Sequence, residues 1–326
     1  MESLLLTSIL VFSLAGIIVT FMVTSARSSK SDLYSALGAS CNSFIDHSLF
    51  RFFRVPYDLW GGIYYIFILV FLAGAWISGF PFWGLLFFTL LLGALFSLYS
   101  ILIQMIALRN ICEWTLVAAF VPIANLGLFL VFSPTPEVAE WISGWYEEIF
   151  LLVTVLSVAG AVLAVFSFFT FLSFMNDLRI SAWEARILSY LSEGLTLFVA
   201  AVLSFGAGIL WVNGVFEEMQ ILSLVFGIAL VAAVCEFTKT SRIRPALVLL
   251  SLKENDNKKE ERELLKRLSF GVEGISLISW IFLAFFFVLP MGTFTVSQAA
   301  GMYVLLVTIA FLFSQLIKQD PYGTKR

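Results

Sequence analysis

Cysteine is the side chain in this sequence with the clearest capacity for chemistry, and it occurs three times, at Cys41, Cys112 and Cys235. A thiolate can attack a disulfide and transfer two electrons. The single histidine, His47, excludes a bis-histidine haem within one chain, and no cysteine or histidine lies at the spacing of a zinc site. There is also no phosphate-binding glycine loop. Thiol chemistry is therefore the first candidate, and we expect no metal and no nucleic acid as partners.

The elements that must position these cysteines are long apolar segments. Hydrophobic residues make up 60% of the 326 residues and charged residues only 13%, and the mean hydropathy is +0.99. In soluble proteins about a quarter of the residues are charged. A helix that crosses a bilayer needs about 20 consecutive apolar residues. The apolar runs are continuous, unlike the alternating strands of a membrane barrel. We predict an all-α, polytopic integral membrane protein of about nine transmembrane helices in contact with membrane lipid.

Basic residues are unevenly divided between the predicted connections. With nine spans, the segments 25–57, 109–113, 176–193, 236–272 and the C-terminal tail lie on one side, and they contain all 19 Lys and Arg. All three cysteines fall on this same side. The positive-inside rule predicts that it is cytoplasmic and that the N-terminus lies outside. Thiols in the cytoplasm are usually kept reduced.

The predicted helices divide into two groups. Residues 1–133 supply a four-helix bundle, residues 134–148 an acidic linker loop, and residues 149–326 a five-helix extension with a charged loop at 238–268. Within the extension, residues 186–197 align with residues 266–277, and each copy contains a Glu-Gly pair, at Glu193 and at Glu273. The two helices either simply begin alike, because a helix N-terminus favours a carboxylate, or present both glutamates to a shared polar site or proton path.

The first loop and the helix after it resemble the vitamin K epoxide reductase family. Residues 41–65 read CNSFIDHSLFRFFRVPYDLWGGIYY, and residues 111–116 read ICEWTL. The family has a loop cysteine followed by a serine and an aromatic residue, then Val-Pro, Leu-x-Gly and tyrosines, and later a Cys-x-x-Cys. The resemblance covers about residues 1–133. It implies a four-helix membrane thiol/quinone oxidoreductase, with a quinone (menaquinone, ubiquinone or vitamin K-like) as cofactor and a thioredoxin-like redox partner.

The resemblance assigns roles to individual positions and also shows departures. Cys41 matches the second loop cysteine and Cys112 the first cysteine of Cys-x-x-Cys, so these two are the candidate catalytic residues. Residues 25–40 contain no first loop cysteine, Thr115 stands in the quinone-facing position, and Arg54 replaces a glycine. Each step of a disulfide relay needs a second thiol, which a threonine cannot supply, so we do not expect the complete relay. The Cys41–Cys112 pair could clamp the loop, act as a two-cysteine redox switch or be an inherited relic.

The residues that the resemblance places around a quinone are mostly aromatic. Such rings bind quinone head groups by stacking and hydrogen bonding, although Trp and Tyr also anchor helices at membrane interfaces. The candidate cofactor-binding residues are Phe53, Trp60, Tyr64, Tyr65, Trp114 and Thr115. Bacterial members of the family generally place their cysteines outside the cytoplasm, opposite to the side that the basic residues predict. The alternative function is a non-catalytic membrane scaffold or transport subunit that uses the second helical half.

Overall fold

The computed structural model describes residues 2–29, 41, 51–53, 55–78, 83–108, 112–133, 135–177, 182–212, 219–243, 259–288 and 295–316. Across these residues the chain forms ten α-helices, two π-helical turns and one short hairpin. Eight of these helices are long and apolar enough, by length and composition, to cross a membrane. The last helix has a shorter apolar stretch, Val296–Leu312, where the sequence predicted a ninth span. The all-α, polytopic membrane architecture is confirmed.

The chain divides into two compact units, Met1–Tyr146 and Glu147–Arg326. In order, the first unit contains α1 (Glu2–Ser29), β1 (Arg51–Phe52), β2 (Val55–Pro56), α2 (Tyr57–Ser78), α3 (Trp83–Leu102), α4 (Glu113–Phe132) and α5 (Thr135–Gly144). Helix α1 packs against α2 and α4, and α3 packs against α4. A π-helical turn, Ile103–Leu108, extends α3. The two strands pair antiparallel, with Arg51 opposite Pro56 and Phe52 opposite Val55.

Many large apolar side chains face outward on these helices, while several polar side chains are buried. Phe21 and Ile77 are 71% and 87% exposed, while Ser13 and Asn125 are fully buried. Asn125 Nδ2 donates to Ser13 Oγ at 3.3 Å and joins α4 to α1. Between lipid tails, apolar burial gives helices little reason to associate, so close packing and hydrogen bonds hold them together. The distribution of side chains is that of a protein surrounded by hydrocarbon.

Tyr65 connects three helices of the first unit. Its ring is buried against Gly16 of α1, where an added methyl group would overlap the ring. Its hydroxyl donates to the backbone carbonyl of Ala118 in α4 at 2.6 Å. Pro122 lies four residues after Ala118 inside α4 and has no N–H, so it cannot donate the helical bond that this carbonyl would normally accept. The tyrosine hydroxyl therefore satisfies an acceptor that the proline leaves open.

The segment predicted as an acidic linker loop, 134–148, contains helix α5 and the first turn of the next helix. Val138 and Ile142 are fully buried, and Trp141 packs on Gly84 of α3. These positions follow the spacing of an amphipathic helix, and Glu137 in the first turn favours the helix N-terminus. Packing on α3 therefore makes this segment part of the first unit.

The second unit contains α6 (Tyr146–Asp177), which begins at the last residue of the first unit, α7 (Ala182–Val212), α8 (Met219–Thr238), α9 (Lys259–Val288) and α10 (Val296–Leu316). Helix α8 packs against α7 and α9, α9 also packs against α10, and the Trp280 ring of α9 lies against Gly160 of α6. The charged loop predicted at 238–268 is helical at both ends, because a π-helical turn, Lys239–Ile243, continues α8 and α9 begins at Lys259.

The pairing of Tyr65 with Pro122 leads to a double-mutant prediction. Tyr65→Phe leaves the Ala118 carbonyl buried without a donor and should lower the free energy of unfolding by about 1–3 kcal/mol. Pro122→Ala restores a backbone N–H at position 122, so in that background Tyr65→Phe should cost much less. Thermal unfolding of the full chain in detergent measures both effects.

Tyr64→Phe is the matched control. The Tyr64 hydroxyl is buried and has no hydrogen-bond partner among the described residues, so its removal should not lower stability. Equal losses from Tyr65→Phe with and without Pro122 would contradict the role given to the Ala118 carbonyl.

Candidate functional site

The structure joins Cys41 and Cys112 by a disulfide between residues 71 positions apart in sequence. Their Cα atoms lie 4.5 Å apart, and both side chains are buried. Cys112 is the extended residue immediately before the first turn of α4, so the bond ties the first loop to the start of this helix. Closing a loop of this length restricts the unfolded chain, which corresponds to about 4 kcal/mol of stabilisation in the chain-entropy account.

Gln104 and Thr115 form the polar surroundings of Cys112. Gln104 lies on the π-helical turn after α3, and its side chain is fully buried. Its Oε1 accepts a hydrogen bond from the Cys112 backbone N–H at 3.2 Å and lies 3.1 Å from Thr115 Oγ1. Thr115 Oγ1 also lies 3.0 Å from the Cys112 carbonyl oxygen. The hydroxyl has one proton and two protein acceptors within hydrogen-bond distance, so its proton is donated within the protein.

The short hairpin is fixed at the same end of the bundle by aromatic packing. The buried Phe52 ring lies 5.3 Å from the Phe96 ring of α3 and 6.3 Å from the Trp60 ring of α2. Trp60 Nε1 donates to the Phe52 carbonyl at 3.0 Å. Phe53 at the turn has φ of 50°, in the left-handed region that the turns of two-residue hairpins require. Arg54, the other turn residue, lies outside the described residues.

Helix α2 starts where the hairpin ends. Asp58 in its first turn is buried and accepts a hydrogen bond from Thr24 Oγ1 of α1 at 2.8 Å. A carboxylate is favoured at this position by the helix dipole. The hairpin is therefore held by α2 and α3, and the Thr24–Asp58 hydrogen bond ties the start of α2 to α1.

Residues 7–132 match the model of the vitamin K epoxide reductase family. The matched range begins within α1, ends at the last residue of α4 and includes both cysteines of the disulfide. This part of the chain is a vitamin K epoxide reductase family domain. Members of this family are membrane thiol oxidoreductases that generally use quinone substrates and typically work with thioredoxin-like partners. No curated protein and no solved structure matches the chain.

The six candidate cofactor-binding residues are distributed over two levels of the vitamin K epoxide reductase domain. Phe53 and Trp60 are at the hairpin, Trp114 is 37% exposed in the first turn of α4, and Thr115 lies beside the disulfide. Tyr64 and Tyr65 lie further along α2, with ring centroids 5.2 Å apart. The Tyr65 hydroxyl donates to Ala118 and is thus engaged within the protein.

Gln104, Phe52 and Phe96 belong to this site, although sequence reasoning missed them. Gln104 is the single carboxamide in the charge-free run 59–108 and has no motif around it. The carboxamide itself was the one signal in the sequence. A carboxamide inside a membrane helix needs hydrogen-bond partners, so its presence there indicates a polar site. Phe52 lies in a two-residue strand, which is too short to produce an alternating pattern.

The second unit contains a buried charged cluster, which we define as Glu236, Lys239, Glu273, Ser192 and Ser276. Lys239 Nζ lies 2.6 Å from Glu236 Oε1, 3.0 Å from Glu273 Oε2 and 3.0 Å from Ser276 Oγ. Ser192 Oγ and Ser276 Oγ donate to the two oxygens of Glu236. These contacts join α7, α8 with its π-helical turn, and α9.

The charged cluster contains one of the two glutamates of the sequence repeat. Glu273 is part of it, whereas Glu193 accepts a hydrogen bond from Ser189, one turn earlier on α7. Lys239, assigned from sequence to a charged loop, is 1% exposed. It is buried because the two carboxylates compensate its charge in the interior.

Removing the central ammonium of the charged cluster tests its contribution to stability. Lys239→Met leaves two buried carboxylates without their shared cation and should lower the free energy of unfolding by about 3–5 kcal/mol. The double variant with Glu273→Gln has one orphaned carboxylate fewer and should recover part of this loss. Thermal unfolding in detergent measures both.

Glu148→Gln removes an exposed carboxylate of α6 and serves as the control for charge removal alone. It should lower the free energy of unfolding by no more than about 1 kcal/mol, which is the most that an exposed carboxylate in the first turn of a helix contributes. A double variant less stable than Lys239→Met alone would contradict the compensation of charge within the cluster.

Proposed function

We propose that the first unit is a quinone-coupled thiol oxidoreductase that works with the single disulfide Cys41–Cys112. The observation that carries the proposal is this buried disulfide at the start of α4, in a vitamin K epoxide reductase family domain. Two thiols that form one disulfide release two electrons and two protons, which is what a quinone takes up to become a hydroquinone. A thioredoxin-like dithiol supplies the same electrons and protons when it reduces the disulfide.

The electrons pass through one pair of sulfur atoms in this mechanism. A partner thiolate attacks one sulfur of the Cys41–Cys112 bond, the other leaves as a thiolate, and the partner's second thiol resolves the mixed disulfide. The reduced pair then transfers its electrons to the quinone directly. Thr115 has no thiol to take part, so Cys41 and Cys112 perform both exchanges.

The quinone head group is proposed to lie at the loop end of the bundle. Phe53, Trp60 and Trp114 would offer aromatic faces there, since rings of this kind stack on quinones. Thr115 lies beside the disulfide, and Tyr64 and Tyr65, further along α2, would line the deeper part of the ligand site. Menaquinone, ubiquinone and vitamin K-like naphthoquinones all carry the ring and carbonyl oxygens that such a site requires.

A second candidate function rests on the charged cluster. Buried ionisable side chains in membrane helices are costly and often mark transport pathways. In this alternative the first unit is a scaffold, and residues 149–326 carry transport or assembly. Changes at Glu273 or Glu193 would then impair flux or assembly, and changes at the cysteines would be silent.

The basic residues support a cytoplasmic position for the cysteine-bearing side and an external N-terminus. In that orientation the glutathione pool opposes oxidation of the pair. A membrane quinone is an oxidant that could restore the disulfide there. The orientation is therefore compatible with the proposed quinone coupling.

Thiol trapping tests the redox function. In membranes supplied with quinone, wild-type Cys41 and Cys112 should resist alkylation, become alkylatable after reduction, and be reoxidised when quinone is added again. Cys112→Ser should abolish the quinone-dependent step, because Cys41 alone cannot form the intramolecular bond. Cys235→Ser, at a buried cysteine of the second unit, is the control and should behave as wild type.

Two results would overturn the redox proposal. One is full alkylation of Cys41 and Cys112 under oxidising, quinone-replete conditions. The other is quinone-dependent oxidation that persists when both residues are replaced by Ala. Silent cysteine variants together with an impaired Glu273→Gln would favour the second candidate.

The orientation has its own test. In a Cys235→Ser background, Glu137→Cys on the exposed face of α5 should react with an impermeant maleimide on intact cells. Asn257→Cys, on the predicted cytoplasmic side, should react after lysis only. The reverse pattern would place the disulfide outside the cytoplasm.

A further inference from the structure

The orientation of the Gln104 carboxamide is determined by its neighbour. The Cys112 backbone N–H can only donate, and it lies 3.2 Å from Gln104 Oε1. The oxygen must therefore face Cys112, since exchanging oxygen and nitrogen would place two donors against each other. The amide nitrogen Nε2 is bonded to the same carbon, so it is also close to Cys112 and Thr115.

In this orientation the two N–H groups of Gln104 Nε2 have no acceptor among the described residues. The atom is buried and has no hydrogen-bond partner in the part of the chain that the structure describes. A buried donor without an acceptor costs about 1–3 kcal/mol, a cost that an apolar side chain would not incur. An acceptor that is not part of the described chain would remove it.

The other donors among the candidate binding residues are largely occupied. Trp60 Nε1 donates to the Phe52 carbonyl, the Tyr65 hydroxyl donates to the Ala118 carbonyl, and Thr115 Oγ1 has two protein acceptors for its one proton. The Tyr64 hydroxyl has no partner among the described residues, but it lies against Gly93 of α3. Gly93 precedes Gln104 by eleven positions on the same continuous helix, which is about 16 Å along its axis.

We propose that Gln104 Nε2 donates a hydrogen bond to a carbonyl oxygen of the ligand beside the Cys41–Cys112 disulfide. This inference rests on the proposed function and assigns the residue that holds the quinone head group. As a quinone is reduced, negative charge develops on its oxygens, and a fixed N–H donor stabilises that charge. The same N–H group could donate to an ester carbonyl oxygen of a phospholipid, so the ligand group is a carbonyl oxygen that could come from a quinone or from a lipid.

Gln104→Glu separates donation to the ligand from support of Cys112. The carboxylate keeps an oxygen for the Cys112 N–H, loses both N–H donors and repels a ligand oxygen. With menadione as the probe, quenching of tryptophan fluorescence gives Kd, and oxidation of the reduced cysteine pair gives the rate. We expect Kd to rise about 5–30-fold, as for a lost hydrogen bond of about 1–2 kcal/mol, with the disulfide still able to form.

Gln104→Met removes both the amide oxygen and the amide nitrogen, so this variant should also bind menadione more weakly. Gln298→Glu is the matched control, because Gln298 is exposed and its Oε1 also accepts a backbone N–H, from Thr295. It should leave Kd unchanged. Bilayers of ether-linked phospholipids, which lack ester carbonyls, distinguish the sources, and menadione should bind at least as tightly there as in ester-linked bilayers.

The possible failures are distinguishable. Menadione binding by the wild type with no change in Gln104→Glu would overturn the role of Gln104 and leave the proposed function standing. Loss of the disulfide in Gln104→Glu would show that Gln104 only supports Cys112, which also overturns the inference. A wild type that binds no quinone in either bilayer would overturn the proposed function and the inference together.

Discussion

The surrounding hydrocarbon is the constraint on which the rest of this structure depends. Lipid tails are as apolar as the helix surfaces, so apolar burial alone does not drive the helices together. They associate through close packing at small residues and through hydrogen bonds between polar groups. The Tyr65 ring packs on the bare backbone of Gly16. Its hydroxyl donates to the Ala118 carbonyl, which receives no helical hydrogen bond because residue 122 is a proline. In the second unit, the same requirement brings Lys239 between two carboxylates. These hydrogen-bonded polar side chains therefore join helices that apolar packing alone would hold weakly.

Much of this architecture was predictable because long charge-free apolar runs mark the membrane helices. The residues Ser-Gly-Phe-Pro at 78–81 and Leu-Pro-Met-Gly at 289–292 favour turns within two long apolar runs, and the helices end at Ser78 and Val288. The pairing of Cys41 with Cys112 followed from resemblance to a family, and the structure contains that bond. The sites where sequence reasoning failed depend on tertiary contacts. Lys239 reads as a loop residue until Glu273, 34 positions away, is placed beside it.

The loop end of the first unit combines three features that differ in origin. A buried disulfide joins the first loop to α4, the aromatic hairpin packs on α2 and α3, and a carboxamide on the π-helical turn reaches the start of α4. π-Helical turns widen a helix locally and are frequent at functional sites. Thr115, where the family has a thiol, has become a hydrogen-bonded member of the polar surroundings. The side chain at this departure from the family is thus hydrogen-bonded within the protein.

The single disulfide has a kinetic consequence. Two cysteine pairs can hold electrons from one substrate while the other is still bound, but one pair is either oxidised or reduced. On the proposed chemistry, the dithiol partner can react only with the oxidised form and the quinone only with the reduced form. The two substrates must therefore alternate at Cys41 and Cys112, which gives a ping-pong order. No ternary complex is required, and the partner and the quinone never need to reach the sulfur atoms at the same time.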